Sequence, residues 1–357
     1  MAEHTGVTLA DVAAAAGVSA ATASRVLNGT ARVRAELRER VLAAAERLAY
    51  SPNALARALA SASSPAVGVI GHDVADPYFA GITRGVMRAA TRHDLHVILG
   101  STFRDPDQEI SYTSMLRGQR VRAVLLVGSG FEDRAWQEAM RRELDLYRGT
   151  GGRIGAVSRH PGLRIDSVLP DNRGGAGELA RALLALGHRE FAVLAGPPAL
   201  TTVVDRLVGF REALAQAGID LPEDRIVVGE FTRDGGHRAA RELLRRHRSV
   251  TCVFAMADVM AAGALTAFRG AGLRVPEDIS LAGFDDIPLA VDLTPALTTV
   301  ALPLAELGER ALELALLPER ASRPRVEQIR GEVVLRASSA PLENGIRPRP
   351  RTEGEQP

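Results

Sequence analysis

The chain has 357 residues, 46% of them hydrophobic, a formal net charge of +1 and one cysteine. That length and apolar content suit a globular protein of two or three domains, while the near-zero net charge gives no nucleic-acid footprint for the chain as a whole. Cys252 alone excludes an intramolecular disulfide, no apolar run is long enough to span a bilayer, and the start MAEHTGVTLADV lacks a basic-then-apolar secretion pattern, so a cytoplasmic location and no membrane partner are expected.

The chain opens with two short predicted helices. Thr8 followed by Asp11 reads as a capping box, and Leu9, Val12 and Ala13 share an apolar face. Gly17 can take positive φ at the helix end, and Ser19 is a good N-cap for a second helix reaching Leu27. That helix buries Ala23 and Val26 and presents Ala20, Ala21, Thr22, Ser24 and Arg25, the arrangement of a DNA recognition helix; an ordinary helical hairpin is the alternative. A third helix, Ala35 to Leu48, sets Leu37, Val41, Leu42, Ala45 and Leu48 against Arg38, Glu39, Arg40, Glu46 and Arg47. Seven arginines face five carboxylates across residues 1–60, a small local excess that suits a dimer better than a lone module, and every basic residue of the chain other than histidine is arginine. Ser51-Pro52-Asn53 and ALARALAS then precede the linker Ser61 to Pro65, where a domain boundary falls.

Beyond Pro65, apolar runs of four to six residues alternate with amphipathic stretches, the pattern of parallel sheets covered on both faces. Strands are predicted at 66–70, 96–99, 123–127, 155–157, 167–169, 191–194, 226–228, 252–255, 279–282 and 332–335. Helices are predicted to begin near Phe79, Asp107, Asp133, Arg173, Asp205, Gly235, Asp258 and Leu304. So many strands imply two open sheets with a cleft between the loops at their carboxyl ends.

In order and spacing these segments resemble the lactose/galactose repressor (LacI) family of bacterial transcription regulators, from Thr8 to about Pro341. The resemblance rests on TLADVAAAAGVSAATASRVLNG (8–29), YSPNALARALAS (50–61), DPYFAGITRGV (76–86), DNRGGAGELARALLALGHREFAVLAGP (171–197), RLVGFREAL (206–214), MADVMAAGAL (256–265) and GLRVPEDISLAGFDDIPLAVDLTPALTTV (272–300). It implies an all-α helix-turn-helix headpiece (1–50), a hinge helix and linker (51–65), and a periplasmic-binding-protein-like α/β core (66–341), followed by a disordered tail (342–357). The core is expected to have two doubly wound parallel-sheet lobes, one about 66–164 and 296–325, the other about 165–295 and 326–341.

The same resemblance implies a repressor that binds a palindromic operator as a homodimer under control of a small-molecule effector, with a carbohydrate expected in that role and no cofactor or metal. Thr8, Ser19, Ala20, Ala21, Thr22, Ser24, Arg25 and Asn28 fall on the headpiece's DNA face, with Ala20 and Ala21 at the specificity positions. Asn53 caps the hinge helix, Arg57 reaches phosphate or the minor groove, and Leu59 wedges into that groove. Arg34 stands where the family usually caps the third helix with serine. Effector positions fall on Asp76, Tyr78, Phe79, Arg104, Ser158 and Arg159 in one lobe and on Thr202, Arg206, Phe231, Asp258 and Asp285 in the other, with Ala257 in place of a frequent asparagine. Carboxylates and arginines around an aromatic plate suit a polyhydroxylated ligand, because each hydroxyl both donates and accepts. A transporter's solute-binding protein shares the core but not the headpiece. An enzyme on the same fold finds no support: no GxGxxG fingerprint follows the first strand, no P-loop is present, and Gly128-Ser129-Gly130 is too short for a nucleophile elbow.

Overall fold

The computed structural model describes residues 7–27, 33–50, 64–247, 249–318 and 323–342. The chain divides into two compact units between Ser64 and Pro65. The first unit holds α1 (Leu9–Ala16), α2 (Ala20–Leu27) and α3 (Ala35–Arg47). Thr8 and Asp11 form the full capping box, with the Thr8 amide donating to Asp11 Oδ2 at 2.8 Å and the Asp11 amide to Thr8 Oγ1 at 3.3 Å. Gly17 ends α1 at φ 64°, and Arg40 of α3 donates to the Ala16 carbonyl at 2.5 Å, tying the third helix to the turn. Val12, Ala13, Ala16, Ala23, Val26, Val41, Ala44 and Ala45 form the core. Leu42 is 44% exposed and lies off the face expected for it, and Arg34 makes no side-chain cap.

The second unit contains two parallel sheets. In chain order it runs β1 (Ser64–Gly71), α4 (Pro77–Arg92), β2 (His96–Ser101), α5 (Pro106–Gly118), β3 (Val121–Val127), α6 (Arg134–Gly149), β4 (Arg153–Val157) and β5 (Asp166–Pro170). It continues through α7 (Asn172–Ala185), β6 (Phe191–Ala195), α8 (Thr201–Gln216), β7 (Ile226–Val228), α9 (Arg233–Arg246), β8 (Cys252–Ala255), α10 (Asp258–Gly270) and β9 (Ser280–Ala282). Then come α11 (Leu289–Asp292), β10 (Thr299–Ala301), α12 (Leu304–Leu316), β11 (Val326–Ile329) and β12 (Glu332–Val334). The first sheet has the order β11-β5-β4-β3-β1-β2 and the second β7-β6-β8-β9, while β10 and β12 form an antiparallel pair.

Two of these placements correct the expected lobe boundaries. Strands 166–170 and 326–329, assigned from sequence to the second lobe, pair with each other and with β4 in the first sheet. Conversely, 298–301 sits against the end of β9 in the second lobe, through bridges from Thr298 to Ala282 and from Ala301 to Asp285. The chain therefore crosses between lobes after β5, after β10 and after β11. Strands β10 and β11, of three and four residues, went unpredicted because neither carries an apolar run.

Helices cover the sheets by close backbone contact. Gly85 of α4 and Gly308 of α12 let those helices touch, since a Cβ at either would overlap a carbonyl of the facing helix. One continuous apolar core runs through both lobes. Among the described residues, no helix is long and apolar enough to cross a membrane.

Candidate functional site

In the first unit the outer face of α2 is the candidate DNA surface. Ala20, Ala21 and Arg25 are exposed and Thr22 and Ser24 half-buried, on the side opposite the buried Ala23 and Val26. Ser19 caps the helix, accepting from the Thr22 amide at 3.2 Å, and the two hydroxyls lie 2.9 Å apart. Arg25 Nε donates to the Ala21 carbonyl at 3.2 Å, drawing the guanidinium back along the helix. Thr8 is committed to its capping box. The free amides at a helix N-terminus also favour phosphate. Asn28, Asn53, Arg57 and Leu59, and with them the expected hinge helix, lie outside the described residues.

In the second unit a cavity with about 380 Å³ of empty space, counted out to its mouth, lies between the lobes. Its walls include Asp76, Tyr78, Phe79, Arg104, Thr202, Arg206, Phe231 and Asp285. The chain builds it at the carboxyl ends of β1, β2, β3, β6, β7, β8 and β9, where an open α/β sheet gathers its loops. Arg206, 2% exposed, anchors the floor: Nε donates to Asn172 Oδ1 at 2.9 Å, Nη2 to Asp285 Oδ1 at 2.6 Å and Nη1 to the Met256 carbonyl. Its guanidinium lies 3.8 Å from the centroid of the Phe284 ring. Burial raises the Asp285 carboxyl, and Arg206 opposes that rise.

Across the cavity, Asp76 caps α4 by accepting from the Tyr78 amide at 3.0 Å. Its second oxygen lies 4.0 Å from Arg104, whose guanidinium sits 5.5 Å from the centroid of the Phe231 ring. Burial raises Asp76 and lowers Arg104. Phe231 thus lines the cavity with Arg104 of the opposite lobe over its ring.

Three expected effector residues are absent from the walls. Asp258 spends both oxygens on structure, Oδ1 accepting from the Thr299 hydroxyl at 2.6 Å and Oδ2 from the Ile287 amide at 2.9 Å. Arg159 is held at the outer rim by Asp205 at 3.0 Å and Glu132 at 3.1 Å. Ser158 is buried at φ 83°, its amide bonded to the Val168 carbonyl. In their place the walls gain His72, Gly128 and Ser129, while Ala257 stands at the position the resemblance flagged. His72 follows β1, and Gly128 and Ser129 follow β3, so the rule that ligand loops sit at strand carboxyl ends was the signal that could have found them.

His72 is neutral: burial, with Arg104 and His160 nearby, pushes it down to about 3. Its Nε2–H donates to the Ser129 carbonyl at 3.1 Å, and its ring stacks on Phe79 at 5.6 Å and Phe131 at 5.9 Å. Ser129 donates across the cleft to the Thr202 hydroxyl at 2.7 Å. Among the described residues no cluster of histidine, cysteine or carboxylate side chains is placed to hold a metal ion.

A two-lobed core with an interlobe cavity, preceded by a helix-turn-helix unit, defines a DNA-binding regulator with a ligand-binding core. Residues 8–53 match the family model described as bacterial regulatory proteins, lacI family, and residues 180–339 match a periplasmic binding protein-like domain. The HTH-type transcriptional regulator GalS of Salmonella typhimurium is 38% identical over 311 residues, 87% of this chain and 89% of that one. The lac repressor dimer bound to operator and the anti-inducer ONPF superposes with a TM-score of 0.79 at 26% identity, over 94% of this chain and 100% of that one. The transcriptional regulator CelR in complex with cellobiose has a TM-score of 0.69 at 32% identity, over 93% of this chain and 100% of that one. The chain belongs to the lacI family of bacterial regulatory proteins. It is a DNA-binding transcriptional regulator, not an enzyme.

Proposed function

We propose that the protein is a repressor that grips a palindromic operator as a homodimer, at the nucleoid in the cytoplasm, and that an uncharged carbohydrate in the interlobe cavity controls the grip. The observation that carries the effector class is the cavity's charge balance. Arg206 is neutralised by Asp285, and Arg104 faces Asp76 across 4.0 Å, a spacing that one hydroxyl can bridge from the side, donating to the carboxylate and accepting from the guanidinium. Phe79 and Phe231 supply apolar faces from opposite lobes. The lac repressor structure holds the anti-inducer ONPF and the CelR structure holds cellobiose, a sugar, which fits this class. The two aromatic walls also favour a planar heteroaromatic ring as the second reading.

On the DNA side, Ala20 and Ala21 offer methyl contacts, Arg25 reads guanine, and Ser19, Thr22, Ser24 and Thr8 serve the backbone. Asn28, Asn53, Arg57 and Leu59 complete the contact set by resemblance. The dimer forms through the faces of Pro77 to Met87 and Ile287 to Asp292. A ligand that binds one cleft geometry better than the other shifts the population able to hold two half-sites.

The test is a melting screen of the full chain against sugars, sugar phosphates, polyols and nucleosides, since a ligand of the folded state raises the melting temperature by mass action. A neutral sugar is expected to raise it, and Arg104→Ala to abolish the rise. Arg206→Ala is the poorer variant, because leaving Asp285 buried without its partner costs about 3–5 kcal/mol. A rise with nucleosides alone replaces the sugar with the second reading. In vitro selection that returns sites without two-fold symmetry overturns the dimeric operator.

A further inference from the structure

Arg159 was expected to touch the effector, yet it sits outside the cavity at a seam where the two lobes are joined by protein groups alone. The loop after β3 and the loop before α8 form a short antiparallel bridge, Phe131 opposite Leu200. The Glu132 amide donates to the Ala199 carbonyl at 2.9 Å, and the Thr201 amide to the Gly130 carbonyl at 3.1 Å. The Thr201 hydroxyl donates to the Arg159 carbonyl at 3.0 Å. Over this bridge the Arg159 guanidinium, anchored in its own lobe by Glu132, reaches Asp205 of the other lobe with two nitrogens, at 3.0 and 3.4 Å.

We infer that Arg159 is a strap: a positioning residue that holds the lobes closed through Asp205 and so sets how readily the cleft opens, without touching the ligand. Two features separate this from an incidental surface pair. It is a two-pronged arginine–carboxylate contact, the geometry that gives direction as well as charge attraction. It also spans the only seam beside the cavity at which backbone of one lobe pairs with backbone of the other among the described residues, so its lever acts on lobe opening rather than on either lobe's fold. Its bearing on effector exchange rests on the reading of the cavity given above; its effect on closure does not.

The protein carries its own reporter. Trp136, the single tryptophan, is buried at the seam, edge-on to Phe131 with ring centroids 5.1 Å apart. Opening the seam exposes Phe131 and admits a quencher to the indole. The experiment is acrylamide quenching of the full-length protein without any added ligand. Arg159→Ala and Asp205→Ala are each expected to raise the quenching constant, by up to about fivefold, the population change an exposed pair of this kind supports. The double variant should match either single variant, because both remove one interaction. Raising salt should increase quenching in the parent and not in Arg159→Ala. Arg274→Ala, which breaks the exposed Arg274–Asp278 pair within the second lobe, serves as the control and should behave as the parent. Quenching in Arg159→Ala and Asp205→Ala equal to the parent, or additive effects in the double variant, overturns the strap. A failed sugar screen leaves this result standing.

Discussion

At the scale of single residues, the cavity's surroundings bury groups that would carry charge in water, and each ties stability to pH. His72 and His160 are pushed by burial down to about 3 and about 4 from an ordinary 6.5. A folded state that refuses protons the unfolded chain accepts loses stability as the pH falls below 6.5, at about 1.4 kcal/mol per pH unit for each histidine. His72→Phe keeps a ring against Phe79 and Phe131 but drops one of the two titrations. Urea unfolding followed by Trp136 fluorescence should show a shallower loss of stability from pH 6.5 to 4.5 than in the parent. An unchanged slope would mean that His72 is protonated in the fold. Glu109 works in the opposite direction. It is buried on α5 with Oε2 unpartnered among the described residues, and burial raises it to about 8 from 4.5. A carboxyl raised in the fold contributes stability below 4.5 that is lost as the pH climbs to 8. Glu109→Gln, which cannot ionise, should be more stable than the parent at pH 8 and converge with it below pH 4.5; equal stabilities at pH 8 would show that Glu109 finds a partner when ionised.

At the scale of elements, the buried core of the headpiece is, among the described residues, five alanines and three valines, with Leu9, Val18, Leu27, Val33, Leu48 and Tyr50 packed half-buried around them. Val12, fully buried in α1, therefore carries a large share, and Val12→Ala should cost about 2 kcal/mol. Loss of operator binding is expected, while urea unfolding read at Trp136 stays at the parent's midpoint. Parallel loss in both readouts would show that the two units do not fold independently. These helices were legible in the sequence because caps and periodicity are local: Thr8 with Asp11, Gly17 and Ser19 mark their ends within four residues. The cavity was legible only in part, for a related reason. Arg206 and Asp285 sit at positions the family resemblance marks, and they meet. Asp258 and Arg159 sit at marked positions too, but what engages them, Thr299 and Ile287 for one and Asp205 for the other, comes from distant segments and leaves no local pattern. The lobe boundaries failed likewise, since a five-residue apolar strand such as β5 carries nothing that says which sheet it joins.

At the scale of the whole molecule, the regulatory reading depends on two headpieces held at once, and an apolar surface on the core fits that need. Val291 of α11 is exposed and lines, with Pro77, Ala80, Ile287 and Leu302, an open groove between α4, the turn before α11 and the start of α12. Apolar side chains clustered on one face are costly in water and favour burial against a second copy. Val291, 55% exposed on α11, is not among the walls of the interlobe cavity, so a charge there tests the interface rather than the ligand site. Val291→Asp should sediment as a monomer at micromolar concentration with its sugar response in the melting screen intact. Its affinity for a two-half-site operator should fall by a factor of about 10² to 10⁴, because the second half-site no longer binds at the high effective concentration a dimer provides. Binding to a single half-site should change little. A variant that remains dimeric moves the interface elsewhere, and a monomer that holds the full operator as tightly as the parent removes the bivalent mechanism. That second outcome would also separate cleft closure from DNA release, since a lone headpiece has no spacing for the effector to disturb.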